Sequence, residues 1–247
     1  MTTYWTVIAL VIGAAVLVVL AIWSRVAPGD RRPERRWVAL GSSGTAGPGQ
    51  RSWVAAIATR RRAEAIDLTA PGATLADVRA SQLGPALAAS PSAAVIWVGA
   101  GDLLHGVPIV AFQRELASVI GQLQVHGCQV LLVGLPPFRL DGGLVERRRG
   151  TLADTVAQWQ AAMTATAALT GAARLAPGPE RPAGPTARLN GPVIWFDAAY
   201  LMQLGQRTAP VLDRLLATGP GRATGPAHWD EPADPAIRRR LGLPPVR

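Results

Sequence analysis

Five short, almost wholly apolar runs separated by helix-length segments constrain this chain more than any other feature. The runs are Trp37 to Leu40, Ala65 to Thr69, Ala93 to Val98, Gln129 to Leu135 and Val193 to Phe196. Between them lie stretches that read as helices, Arg51 to Ala63, Leu75 to Ala89, Pro108 to Val125 and Thr151 to Gly171. In the third of these, Phe112, Leu116, Val119, Ile120 and Leu123 share one face. Strands that do not alternate apolar with polar residues are buried on both sides. The pattern therefore predicts a parallel sheet covered by helices on both faces. Pro177 to Pro192 is rich in proline and glycine and reads as a surface excursion. No internal repeat is present.

A second constraint lies at the N-terminus. Tyr4 to Trp23 carries no charge, and Thr6 is its one polar side chain besides the terminal aromatics. As a helix it would span about 30 Å, the thickness of a bilayer's hydrocarbon core. Tyr4, Trp5 and Trp23 suit the two interfaces. The expectation is a single-pass membrane helix over residues 4–23. A cleaved signal peptide is the other reading; the absent positive n-region, the length of the run and the lack of a small-x-small cleavage site weigh against it. Residues 24–36 contain Pro28, Gly29, Pro33 and five arginines and read as a juxtamembrane linker. Positive charge after the span and none before it keeps the following domain on the cytoplasmic side by the positive-inside rule.

The remaining length, 37–247, suffices for one α/β domain with a sizeable core. Net charge is +9, carried by arginine because the chain has no lysine. The triplets at 60–62, 147–149 and 238–240 read as solvated faces, since no aromatic platform is interleaved with them. Nucleic acid is therefore not the expected partner. A phosphate loop requires a lysine that is absent, and three scattered histidines with one cysteine give no metal-ligand spacing. No cofactor or metal is expected. Cys128, at the start of an apolar run, reads as a small core residue.

The first apolar run stops at Gly41, and the chain continues Ser42-Ser43-Gly44-Thr45-Ala46-Gly47-Pro48-Gly49. This is a buried strand ending in a tight turn that presents a hydroxyl at the sheet's carboxyl edge, where ligands of open α/β sheets bind. The block resembles the first signature of the SGNH or GDSL serine hydrolases, Gly-Asp-Ser-x-Thr-x-Gly-x-Gly. It matches at Gly41, Ser43, Thr45, Gly47 and Gly49 and carries Ser42 in place of the usual aspartate. The resemblance assigns the nucleophile to Ser43. Ile66 to Leu75 resembles the family's second block, whose glycine lends a backbone N–H to the oxyanion hole and maps to Gly72. Gly99-Ala100-Gly101-Asp102 resembles Gly-x-Asn-Asp, with Gly101 where the asparagine donor of the oxyanion hole is expected. Gly41, Gly99 and Asp102 then support the loops, Asp102 by backbone hydrogen bonds. Gly225-Pro226-Ala227-His228 stands where the family carries Asp-x-x-His. His228 is thus the expected base, Gly225 stands at the place of its orienting acid, and Asp230 is a candidate substitute. His105 and His126 read as structural or solvent-facing.

The resemblance implies a three-layer α/β/α sandwich with a flavodoxin-like parallel sheet, the SGNH hydrolase fold, and a small ester or acyl substrate. Hydrolases of this family are often exported, which opposes the orientation drawn from the arginines. Two functional readings stay open from sequence. One is a membrane-anchored serine ester hydrolase using Ser43 and His228, with Ser43, Gly72 and Gly101 at the oxyanion hole. The other is a catalytically inactive SGNH-like domain, a tethered module binding a ligand or protein.

Overall fold

The computed structural model describes residues 35–45, 52–58, 63–135, 139–141, 149–175, 186–190 and 193–218. The expected membrane span 4–23, nearly all of the linker, His228 and Asp230 lie outside these described residues. Among the described residues no helix is long and apolar enough to cross a membrane.

Strand β1 (Arg36–Gly41) lies between β2 (Glu64–Asp67) and β3 (Ala93–Trp97) and is parallel to both. Beyond β3 come β4 (Gln129–Val133) and β6 (Ala173–Leu175), giving an all-parallel sheet in the order β2-β1-β3-β4-β6. This is the flavodoxin-like order expected. Trp37, Val38, Ala39, Leu40 and Ala93 to Ile96 are fully buried, which is why these strands carry no alternation.

The helices fall into two groups. Helix α1 (Trp53–Ala58) packs on α6 (Ala198–Thr218), and α6 also touches β3 and β4. Helix α2 runs Leu75–Asp77, passes through a π-helical turn at Val78–Gln82 and continues as Leu83–Ala88. Its first turn packs on α4 (Ile109–Val125), which in turn packs on α5 (Arg149–Thr170). The short α3 (Ala100–Leu104) follows β3. The predicted face of α4 is the buried one, with Phe112, Leu116, Val119, Ile120 and Leu123 all at 1% exposure or less. Phe112 meets Trp159 of α5 with ring centroids 4.6 Å apart. Two buried glutamines tie the same helices by donating to backbone carbonyls, Gln113 to Ala162 and Gln124 to Thr170.

Three features differ from the sequence expectation. Val193–Phe196 forms a strand, β8, but outside the parallel sheet: it pairs antiparallel with β7 (Thr186–Asn190) in a second sheet of order β5-β7-β8, where β5 is Arg139–Asp141. Part of the expected surface excursion is therefore a strand. The fifth main-sheet strand is instead Ala173–Leu175, only three residues with Arg174 at its centre, too short and too polar for its pattern to mark it. Helix α6, with Gly205 and Pro210 inside it, was hidden by residues that ordinarily interrupt helices. Cys128 is buried as expected, and burial pushes its thiol up to about 12, so it stays protonated at neutral pH.

Gly205 explains how α6 lies so near α1. A Cβ there would stand 2.6 Å from both the Ala56 Cβ and the Trp53 carbonyl oxygen. Gly205→Leu is expected to force the helices apart and lower stability by about 1–3 kcal/mol. Urea denaturation followed by tryptophan fluorescence would read this; an unchanged midpoint would mean the two helices separate without cost.

Candidate active site

The ends of β1, β2 and β3 converge on Ser43. Gly41 closes β1 with φ 96°, and a Cβ on it would lie 2.1 Å from the Trp97 carbonyl oxygen. No other residue fits there. The sheet's pairing then continues past the strand: Ser42 N–H donates to the Trp97 carbonyl at 2.8 Å, and Ser43 N–H to the Ala70 carbonyl at 3.1 Å. The Trp53 indole N–H donates to the Ser42 carbonyl at 3.1 Å, and Phe196 N–H to the Gly44 carbonyl at 3.0 Å. Ser42, standing where an aspartate is usual, accepts the Gly44 N–H on its own hydroxyl at 3.2 Å. It thus makes a local serine turn. Gly44 has φ 68° and lies against the Trp97 ring and Leu201, with no space for a Cβ.

Ser43 itself is 6% exposed, and its Oγ is 3.0 Å from the Thr45 hydroxyl. The neighbouring Thr45 is buried as well. Two hydroxyls at this separation share one hydrogen bond, in which either oxygen can donate.

The second wall is the turn Ala70–Ala73, closed by Ala73 N–H to the Ala70 carbonyl at 3.3 Å. Pro71 followed by Gly72 at φ 66° supplies the proline and the positive φ that a type II turn requires. The Ala70 carbonyl therefore accepts from Ser43 on one side and Ala73 on the other. Among the described residues, no hydrogen bond engages the Gly72 N–H. Gly101 faces this turn, and a Cβ there would be 2.5 Å from the Gly72 carbonyl oxygen and 3.3 Å from that of Ala73. The Gly72 carbonyl fills the place where an asparagine side chain would begin. Gly101 consequently offers no side-chain donor, and the Ser43 N–H, expected at an oxyanion hole, is bonded to Ala70.

Asp102 holds the two loops together. Its Oδ1 accepts Leu75 N–H at 2.9 Å, its Oδ2 accepts Gly99 N–H at 3.1 Å, and the residue is 2% exposed. This is the loop-ordering role read from sequence. Burial pushes its carboxyl above the ordinary value, while the bonds from Leu75 and Gly99 pull it down. Gly99, at φ 107°, precedes α3 and is held by that second bond.

His105 places Nδ1 2.7 Å from the Gly101 carbonyl, and His126 places Nδ1 2.9 Å from that of Gln122. A carbonyl only accepts, so each Nδ1 carries the proton. Both histidines close helix C-termini, as expected of structural residues. The described residues thus bring together Gly41, Ser43, Gly72, Gly99, Gly101 and Asp102; His228 and Asp230 lie outside them. Among the described residues there is no group of acidic, histidine or cysteine side chains able to hold a metal. A cleft of about 830 Å³ lies beyond Asp102, between α2 and α4, and is bordered by neither Ser43 nor Gly72. One buried polar residue at the site was not singled out from sequence: Gln82, which contacts Gly41. The signal available was a glutamine on the otherwise apolar face formed by Leu75, Val78, Leu83 and Ala86.

Comparison with known proteins agrees with this fold. A family model described as GDSL-like lipase/acylhydrolase matches residues 39–197. The psychrotrophic esterase EstA from Pseudoalteromonas sp. is 13% identical, with a TM-score of 0.53 over 74% of this chain and 99% of its own. A G-D-S-L family protein from Desulfitobacterium hafniense is 18% identical, with a TM-score of 0.56 over 72% of this chain and 99% of its own. TesA is 22% identical, with a TM-score of 0.51 over 73% and 99% of the two chains. These likenesses are of fold. No curated protein matches the chain by sequence.

Two predictions follow from the loop geometry. Gly101→Asn, which would supply the missing family side chain, is expected to destabilise the protein by about 1–3 kcal/mol through its clash with the Gly72 carbonyl. A thermal melt showing wild-type stability would mean the Ala70–Ala73 turn yields freely. Asp102 binds its proton more tightly folded than unfolded, so its contribution to stability is greatest at low pH. It diminishes as pH rises from the ordinary carboxylate range, about 3.9, through the raised folded value. Relative to Asp102→Asn, the wild-type urea midpoint should fall across that window; a constant difference would contradict the assigned direction.

Proposed function

Because this chain belongs to the GDSL-like lipase/acylhydrolase family, we propose that it cleaves or transfers the acyl group of a small carboxylic ester, using Ser43 as nucleophile. The observation that carries the reading is the position of Ser43 in a glycine-flanked turn at the carboxyl end of the central strand, with Gly72 on the facing turn. Ser43 Oγ adds to the ester carbonyl as His228 takes its proton. The carbonyl oxygen becomes an oxyanion beside the Gly72 N–H. His228 returns the proton to the departing alcohol, leaving an acyl group on Ser43. Water activated by the same imidazole then releases the acid. Asp230 is the carboxylate proposed to orient His228 in place of the residue at Gly225.

Turnover on this scheme is slow. An oxyanion-hole donor is typically worth about 10²–10³ in rate, and Gly101 provides none. The Ser43 N–H contributes only when it leaves the Ala70 carbonyl. That same pair of observations favours the second reading, a catalytically silent domain that binds an acyl ligand or a protein. Residues 4–23 are proposed to tether the domain to a membrane as a single pass. The arginines that follow favour the cytoplasmic side.

EstA is described in a form inhibited by monoethylphosphonate, which suggests the test. A fluorophosphonate probe should label the full chain, with labelling abolished in Ser43→Ala and reduced at least about a hundredfold in His228→Ala, the scale of general-base catalysis. Absence of labelling together with absence of ester cleavage would leave the silent module as the reading.

A further inference from the structure

We propose that Gln82 is a positioning residue for the turn that carries Ser43. The inference rests on the hydrolase reading for its catalytic consequence, but the contact itself stands on geometry. Gln82 is 4% exposed and lies 41 residues from Gly41 in sequence. Its Oε1 accepts the Gly41 N–H at 2.6 Å, and its Nε2 donates to the Gly41 carbonyl at 3.3 Å. The backbone dictates which end of the amide points where, since an N–H can only donate and a carbonyl only accept.

Both polar groups of one backbone residue are thereby engaged by one side chain, and its carbonyl also accepts the Ala70 N–H at 3.0 Å. That residue is the left-handed glycine at the end of β1, two positions before the nucleophile. Gly41 cannot shift toward β3, because the Trp97 carbonyl occupies the space of its absent Cβ. The Gln82 amide, the Ala70 N–H and the Trp97 carbonyl together hold Gly41 where the chain leaves β1. The direction in which the chain leaves β1, and hence where Ser43 Oγ lies, follows from it. Gln82 touches no reacting atom and acts through Gly41.

The helix is distorted in a way that delivers this side chain. Over Val78–Gln82 it is π-helical, and Leu83 N–H bonds the Val78 carbonyl five residues back. Pro85, two residues further on, has no N–H to continue the regular ladder. Gln82 and Leu83, at the end of this wider turn, are both buried. Single-turn π segments of this kind recur at functional sites. A purely packing role would be served by an apolar residue like its neighbours Val78 and Leu83. A carboxamide is required only because Gly41 presents a donor and an acceptor together.

The test compares Gln82→Met with Gln82→Glu in the full chain, using p-nitrophenyl acetate as substrate. Met removes both bonds, and kcat should fall about 10–100-fold, the scale of a small misplacement of a catalytic group, with KM little changed. Glu accepts from Gly41 N–H when ionised but repels its carbonyl; protonated, it can make both bonds again. The ratio of Gln82→Glu to wild-type kcat should therefore rise as pH falls, while the ratio for Gln82→Met stays flat. A merely structural glutamine would lower the melting temperature of both variants yet leave kcat at the wild-type value in the folded protein, and that outcome overturns the proposal. Amide hydrogen exchange over Gly41 to Gly44 reads the contact without activity. Protection in wild type that is lost in Gln82→Met supports it, even where the wild type cleaves no ester and the hydrolase reading alone fails. Equal protection in the two proteins overturns it.

Discussion

Parallel backbone pairing that runs beyond the end of β1 is the interaction on which the rest of the site depends. Ser42 continues the ladder to β3 through the Trp97 carbonyl, and Ser43 continues it toward β2 through the Ala70 carbonyl. The candidate nucleophile is thus held by the sheet itself and not by a free loop. The cost of that rigidity is visible in the same bonds. An amide that pairs with Ala70 is not available to an oxyanion, and a turn that packs its Gly72 carbonyl on Gly101 leaves no room for a donor side chain. Stability of the wall and readiness for catalysis pull against each other here.

Glycine is what permits three loops to approach so closely. At Gly41 and Gly44 the φ angles and the lack of space for a Cβ coincide, against Trp97 and Leu201. Around them the aromatic rings form a rigid floor: Trp97 meets Phe196 with ring centroids 5.4 Å apart and stands edge-on to Trp53 at 6.1 Å. Phe196 comes from β8, so the small second sheet contributes to the floor of the site even though it lies outside the parallel sheet.

Much of this was legible in the sequence, for identifiable reasons. Three of the five main-sheet strands, β1, β3 and β4, announced themselves because burial on both faces leaves uninterrupted apolar runs, while the edge strand β2 is only half-buried and showed through its short apolar stretch. The turn at Gly41 to Thr45 was readable because it demands particular residue types at fixed spacing, and the loop role of Asp102 through the resemblance of Gly99-Ala100-Gly101-Asp102 to a family block. What escaped was set by long-range contact. The edge strand Ala173–Leu175 is defined by its pairing with β4, not by its own three residues. Val193–Phe196 has the apolar look of a central strand, yet it pairs antiparallel with a polar neighbour, Thr186–Asn190, because pairing partners are not encoded locally. Gln82 could be noticed as an odd polar residue on an apolar face, but its target, 41 residues away, could not. The absence of space at Gly101 is likewise a property of the facing turn.

The central claim, that Ser43 is a nucleophile served by a histidine, reduces to a distance. A crystal structure of the full chain bearing a phosphonate on Ser43 would measure it. The account predicts a ring nitrogen of His228 within hydrogen-bond reach of Ser43 Oγ, about 2.6–3.2 Å, and the phosphonyl oxygen beside the Gly72 N–H. An imidazole far from that oxygen, or a phosphonate that never attaches to Ser43, would contradict it.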